Sequence, residues 1–143
     1  MNNLERIIIT QLDCFASDRG AVYHGMKRSS PGYAGFGEAY LSMANYGVVG
    51  RWKRHKRMSM NLVVPVGCVE FVFWDPLSNP TCREEIIGEN RYVRITVPES
   101  TWFNFRGLHK RQNVILNIAS IEFDPKEVEH VEAEEIPYKW AEL

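Results

Sequence analysis

The densest chemistry of the 143-residue chain lies where Arg51, Trp52, Lys53, Arg54, His55, Lys56 and Arg57 follow one another. Guanidinium and ammonium groups bind phosphate oxygens directly. A histidine set among cations is disfavoured from taking a charge of its own. A neutral imidazole near pH 7 can accept a proton, as a general base must. The run therefore reads as a phosphate-handling segment with a candidate base, His55, inside it. Its plainer reading is a solvent-facing basic loop. His24 and His130 have no distinguishing neighbours and read as surface or structural histidines.

Other active-site signatures are missing. There is no P-loop, no GxGxxG after a strand, no nucleophile elbow and no CxxC. The four histidines form neither HxH nor HExxH, and the three cysteines at 14, 68 and 82 lack metal spacing. The sequence therefore carries no expectation of a metal or a cofactor. An odd cysteine count fits free thiols in a reducing cytoplasm.

Charge narrows the partner. Lys plus Arg (17) and Asp plus Glu (18) leave a net charge of -1, so the small ligand, a nucleotide or sugar nucleotide, ranks above a nucleic acid. The stretch 124–142 is acidic, opposite in sign to the basic run. No apolar run approaches the roughly 18 residues of a membrane span, and residues 7–9 are too short an apolar run for a signal peptide. No membrane partner is expected, and the length suits one domain, 1–143.

The elements that must position these groups read as strands. Ile7-Ile8-Ile9 is β-branched, 18–20 is a turn, and 28–37 is a loop rich in Gly, Ser and Pro. Residues 38–43 and 46–49 are strand candidates. Residues 61–64, Pro65-Val66-Gly67 and residues 68–74 read as strand, turn, strand. Residues 91–97 alternate, with Val93, Ile95 and Val97 on one face. Residues 102–105 and 113–123 add two strands, and only the stretch after Pro125 reads as a short helix. Many short strands with Gly and Pro turns predict an all-β sandwich or barrel.

These pieces, in this order, resemble the dTDP-4-dehydrorhamnose 3,5-epimerase family over roughly residues 9–140. Ser17-Asp18-Arg19-Gly20 is similar to the family's D-x-R-G turn, with Ser17 in place of its first Asp. Phe36-Gly37-Glu38-Ala39-Tyr40 resembles its aromatic-and-glutamate strand. Gly47-Val48-Val49 leads toward His55 as G-x-x-R-G-L-H does, and Asn61-Leu62-Val63 through Gly67 to Asp75 resembles its K-L-V hairpin. Val97-Pro98 to Phe105 resembles its P-P-G-x-x-H-G-F edge. Asp124-Pro125 and Ile136-Pro137-Tyr138-Lys139-Trp140 resemble the ending of shorter, divergent members. The resemblance implies a cupin-like β jelly roll, a homodimer, no cofactor, and a nucleotide-sugar substrate epimerised beside a ketone.

Carried over residue by residue, the resemblance implies His55 as the base and Arg19 and Glu38 on the nucleotide side. Trp52 stands where the family has an arginine, so Arg51 or Arg54 would contact the diphosphate. Asn61 replaces the lysine of K-L-V, Phe103 replaces the edge histidine, and Asn117 falls on the tyrosine that returns a proton. Asparagine cannot donate a proton of that acidity, which leaves Tyr23, Tyr40, Tyr46 and Tyr92 as other donors. Sliding the register by two would put Lys53 on the base position. Arg106-Gly107-Leu108-His109 spells R-G-L-H literally but lies after the Pro98 edge and reads as a chance match. A sugar-nucleotide epimerase or ketoisomerase is the expected function. A non-catalytic cupin that binds a nucleotide sugar or glycan is the alternative, followed by an interaction protein that uses the basic run.

Overall fold

The computed structural model describes residues 2–143, and it is almost entirely β. The strands are β1 (Ile8–Gln11), β2 (Cys14–Ser17), β3 (Gly20–Tyr23), β4 (Glu38–Met43), β5 (Trp52–His55), β6 (Met60–Val66), β7 (Cys68–Trp74), β8 (Cys82–Gly88), β9 (Val93–Val97), β10 (Trp102–Gly107), β11 (Val114–Ala119) and β12 (Val128–Val131). They form two five-stranded antiparallel sheets, ordered β1-β9-β6-β11-β4 and β12-β5-β10-β7-β8, and a separate β2-β3 hairpin. Neighbouring strands are mostly distant in sequence, as in a cupin-like β jelly roll.

Side-chain alternation builds the core. Met60, Leu62 and Val64 of β6 and Val93, Ile95 and Val97 of β9 face Val69, Phe71 and Phe73 of β7 across the sandwich. β6 and β7 do not pair as the expected hairpin: β6 lies in the first sheet and β7 in the second, and the tight crossing between them needs glycine. Gly67 has φ +84, and a Cβ there would lie 2.2 Å from the Gln112 carbonyl oxygen. A second apolar cluster lies on the outer face of the β5-β10-β7 sheet. All four tryptophans (52, 74, 102 and 140) gather there with Ile136 and Tyr138 of the C-terminal stretch. Beside it, Arg106 and Glu70 form a buried ion pair at 2.6 Å, and the Trp140 ring covers the guanidinium at 5.1 Å.

Two further expectations are corrected. Residues 46–49 form no strand; Tyr46 makes one isolated bridge to Gly107. The stretch after Pro125 holds β12 and a single 3-10 turn, Ala133–Glu135, because β12 supplies the hydrogen-bond partner that β5 otherwise lacks on that side. The charged segment Arg83-Glu84-Glu85 lies within strand β8, at a sheet edge where charges are tolerated and discourage further pairing.

β4 inverts the usual pattern. Its polar Glu38, Tyr40 and Ser42 face the interior, while Leu41 (63% exposed) and Met43 (59%) face outward. A strand that turns hydroxyls and a carboxylate inward lines something other than an apolar core.

Candidate functional site

The inverted face of β4 lines a cavity of about 380 Å³ between the sheets. One wall is Glu38, Tyr40 and Ser42 of β4 with Ile115 and Asn117 of β11. The facing wall is Lys53 and His55 of β5, Phe103 and Phe105 of β10, and Val128 and His130 of β12. Small-molecule sites of about 300–1,000 Å³ commonly have this mixture of apolar walls and a few convergent polar groups.

β5 sets the register of the basic run. Alternation turns Lys53 and His55 into the cavity, and Trp52 and Arg54 to the opposite face. Arg54 is bound there to Glu129 at 2.8 Å and lies over the Trp102 ring at 4.7 Å. It therefore does not line the cavity. Arg51, exposed just before β5, is close enough for its charge to act on Lys53 and His130.

His55 is buried, and its group of closest charge is a carboxylate rather than a cation. Nδ1 lies 2.5 Å from Glu127 Oε1. Glu127 Oε2 accepts the backbone N–H of Arg57 at 3.0 Å and of Met58 at 3.4 Å. Burial alone would raise the Glu127 carboxyl. The Arg57 N–H, His55 and the Met58 N–H outweigh it and hold the group below the usual carboxylate range. In a neutral imidazole, donation of the Nδ1 proton to an ionised Glu127 leaves Nε2 with a free lone pair. Phe103 stacks against the imidazole with centroids 6.0 Å apart and planes 14° apart, fixing the ring from the side.

The cavity rim carries basic groups. Lys53 and His130 are paired across β5 and β12. Burial, then Arg51, pushes the Lys53 ammonium down. Burial and the charges of Arg51, Lys53 and His55 lower His130. Basic groups that depress one another's pKa form a site where a bound anion would favour their protonated forms.

The other sequence-derived candidates divide. Glu38, Phe103 and Asn117 line the cavity with His55. Asn61 does not, because its neighbours Met60 and Leu62 take the inward positions. It is buried on the outer face, where its amide donates to the Gly32 carbonyl at 3.1 Å and its Oδ1 accepts the Thr96 hydroxyl at 2.6 Å. Arg19 sits at the exposed tip of the β2-β3 hairpin, away from this chain's cavity lining. His109 lies in the turn after β10, where Asn113 bonds its backbone, outside the cavity. Glu127 and His130 were not singled out as site residues by the sequence reading, and Lys53 only as the base of a register slid by two. Glu127 had one signal, its place in Asp124-Pro125-Lys126-Glu127 within the matched ending. Among the described residues no group of three or more His, Cys, Asp or Glu side chains converges to hold a metal ion, and no helix is long and apolar enough to cross a membrane.

A buried histidine–carboxylate pair beside a cavity between the sheets is an arrangement suited to proton transfer or to ligand binding. No protein-family model matches the sequence, and no curated protein matches it. Solved structures do. A dTDP sugar isomerase from Desulfovibrio desulfuricans G20 superposes with TM-score 0.86 at 28% identity, over 95% of this chain and 91% of that one. A dTDP-4-dehydrorhamnose 3,5-epimerase from Bacillus anthracis, solved with TDP and pyrophosphate, matches with TM-score 0.81 at 16% identity, over 98% and 87%. A sugar 3,4-ketoisomerase from Thermoanaerobacterium thermosaccharolyticum, solved with TDP-4-keto-6-deoxyglucose, matches with TM-score 0.74 at 13% identity, over 90% and 87%. The chain thus shares its fold with these dTDP-sugar isomerase and dTDP-4-dehydrorhamnose 3,5-epimerase structures.

Proposed function

We propose that the protein is a sugar-nucleotide epimerase or ketoisomerase acting on a dTDP-4-keto-6-deoxyhexose, with residues 1–143 as one catalytic domain. The observation that carries this reading is the His55–Glu127 pair opening onto the cavity between the sheets. A ketone acidifies the hydrogens on its neighbouring carbons. His55 Nε2 removes one of them, and the electron pair moves into the C–C–O system to leave an enolate. Glu127 holds the imidazole in the tautomer that can accept the proton and stabilises the imidazolium that results, as a buried carboxylate does for a catalytic histidine elsewhere. Return of a proton to the other face of the same carbon inverts it. Delivery to the next carbon on the same face moves the ketone.

Lys53, His130 and Arg51 at the rim are suited to the diphosphate, and Phe103 and Phe105 to the sugar face. The outward Leu41 and Met43 on edge strand β4 and the exposed Phe15, Val22 and Tyr23 of the β2-β3 hairpin are apolar surface that a homodimer would cover. In that dimer Arg19 would be free to approach the partner.

The test is to follow dTDP-4-keto-6-deoxyglucose with the protein by NMR and to measure dTDP binding by calorimetry. Conversion to a C3 or C5 epimer or to a 3-keto isomer supports the reading. Saturable dTDP binding without conversion replaces it with a non-catalytic sugar-nucleotide binder. Neither result would leave the cavity without this ligand class.

A further inference from the structure

We infer that Tyr40 is the general acid that returns the proton, from the sheet facing His55. The inference rests on the proposed epimerase reading and names the residue that completes it. Asn117 occupies the position where the family resemblance expects a tyrosine, and an amide cannot protonate an enolate. The structure places a phenol directly beside it. β11 and β4 pair in a register that sets Asn117 opposite Tyr40, and the Asn117 amide donates to the Tyr40 hydroxyl oxygen at 2.9 Å.

Three features suit this phenol to the task. It lines the cavity from β4, whereas His55 enters from β5 of the other sheet. A sugar ring between the sheets would therefore meet the base on one face and the phenol on the other, the arrangement that inversion requires. The hydroxyl is also uncommitted as a donor. It accepts from Asn117, and its own proton has nothing stronger nearby than the Met58 thioether sulfur, 3.8 Å away, which is a weak acceptor. Finally, burial holds the phenol protonated, with Glu38 and Glu127 acting the same way and the Asn117 hydrogen bond partly opposing them. That same bond stabilises the phenolate once the proton has left.

The remaining tyrosines weighed as donors are placed elsewhere. Tyr92 donates to the His24 carbonyl at 2.8 Å. Tyr23 is exposed on the hairpin, and Tyr46 lies under Lys110. None of the three lines the cavity.

The step balances without a co-reactant. His55 Nε2 takes the carbon-bound proton, and the C–H pair becomes the enolate. The Tyr40 O–H bond breaks, its proton forms the new C–H bond on the opposite face, and the O–H pair stays on oxygen as phenolate. Solvent then carries the proton from imidazolium to phenolate and restores both groups.

The experiment compares wild type, Tyr40→Phe and His55→Asn with dTDP-4-keto-6-deoxyglucose in deuterated water. It follows deuterium entry at the carbons beside the ketone and, separately, inversion at those carbons. The expected result for Tyr40→Phe is deuterium entry within about tenfold of wild type, with inversion reduced by about 100-fold or more. His55→Asn should lose both. Inversion by Tyr40→Phe at the wild-type rate would overturn the acid and leave the base standing. So would wild-type exchange that yields only the 3-keto isomer. Loss of both processes in a Tyr40→Phe protein that still binds dTDP would assign Tyr40 to substrate positioning and overturn the acid role. Absence of exchange in wild type would overturn the underlying reading, and the acid with it.

Discussion

Replacing Glu127 by glutamine changes one oxygen to an amide nitrogen and leaves the shape almost untouched. Glu127 now accepts from His55 Nδ1 and from two backbone N–H groups. Glutamine cannot satisfy all of them. With its oxygen toward Nδ1, its NH2 faces the N–H groups of Arg57 and Met58, donor against donor, at about 1–3 kcal/mol for a buried unsatisfied group. With its NH2 toward Nδ1, the imidazole proton moves to Nε2, and the catalytic nitrogen can no longer accept. The lower bound on the rate is loss of a charge-assisted hydrogen bond, about 1.5–3 kcal/mol, or about 10- to 150-fold in kcat. A full tautomer switch reaches about 10⁴-fold, as for the corresponding change in serine-protease triads. Glu127 does not line the cavity, so KM should stay within about threefold of wild type. Stability gives an independent check with a definite sign. The folded-state pKa of Glu127 is depressed, so its stabilisation is fully present above the unfolded value of about 4.3 and is lost as pH falls through the lower folded value. The urea midpoint of Glu127→Gln should therefore lie below wild type at pH 7, and the gap should narrow as the pH is taken below about 4. The assay is kcat and KM by NMR together with urea unfolding at both pH values. A kcat within threefold of wild type, or a stability gap that widens on acidification, would refute the orienting role of the carboxylate.

Two other predictions follow from the same geometry. Binding of dTDP-glucose, whose diphosphate does not titrate near neutrality, should tighten as pH falls through the His130 range. An anion favours the protonated imidazole that Arg51 and Lys53 now oppose, and calorimetry on His130→Ala should show that dependence flattened. Leu41→Arg on the outward face of β4 should convert a dimer to a monomer in light scattering; an unchanged mass would locate the interface elsewhere.

The strands that follow a simple rule were legible. Alternation in 91–97 identified β9, and Gly67 marked the break between β6 and β7, although those two strands cross between the sheets instead of pairing as a hairpin. β8 was hidden because a charged edge strand has no apolar period to read. The site was half legible for a related reason. His55 stood out because of its cationic neighbours, yet those neighbours are not what hold the ring. Its carboxylate comes from 72 residues away, and only the pairing of β12 with β5 brings it there. Parity explains Arg54 and Asn61. Once His55 faces inward, Lys53 must as well and Arg54 cannot. Met60 and Leu62 likewise exclude Asn61. Tyr40 was one of four tyrosines with equal standing until the β4–β11 register set it beside Asn117.

The central claim is that His55 removes a proton from the carbon beside a keto group. The direct measurement is deuterium entry from solvent into dTDP-4-keto-6-deoxyglucose, read by NMR in wild type and in His55→Asn. Exchange in wild type that falls by at least about 100-fold in the variant, with dTDP affinity unchanged, is the predicted result. Equal exchange in both proteins would contradict it and move the base to another residue of the cavity.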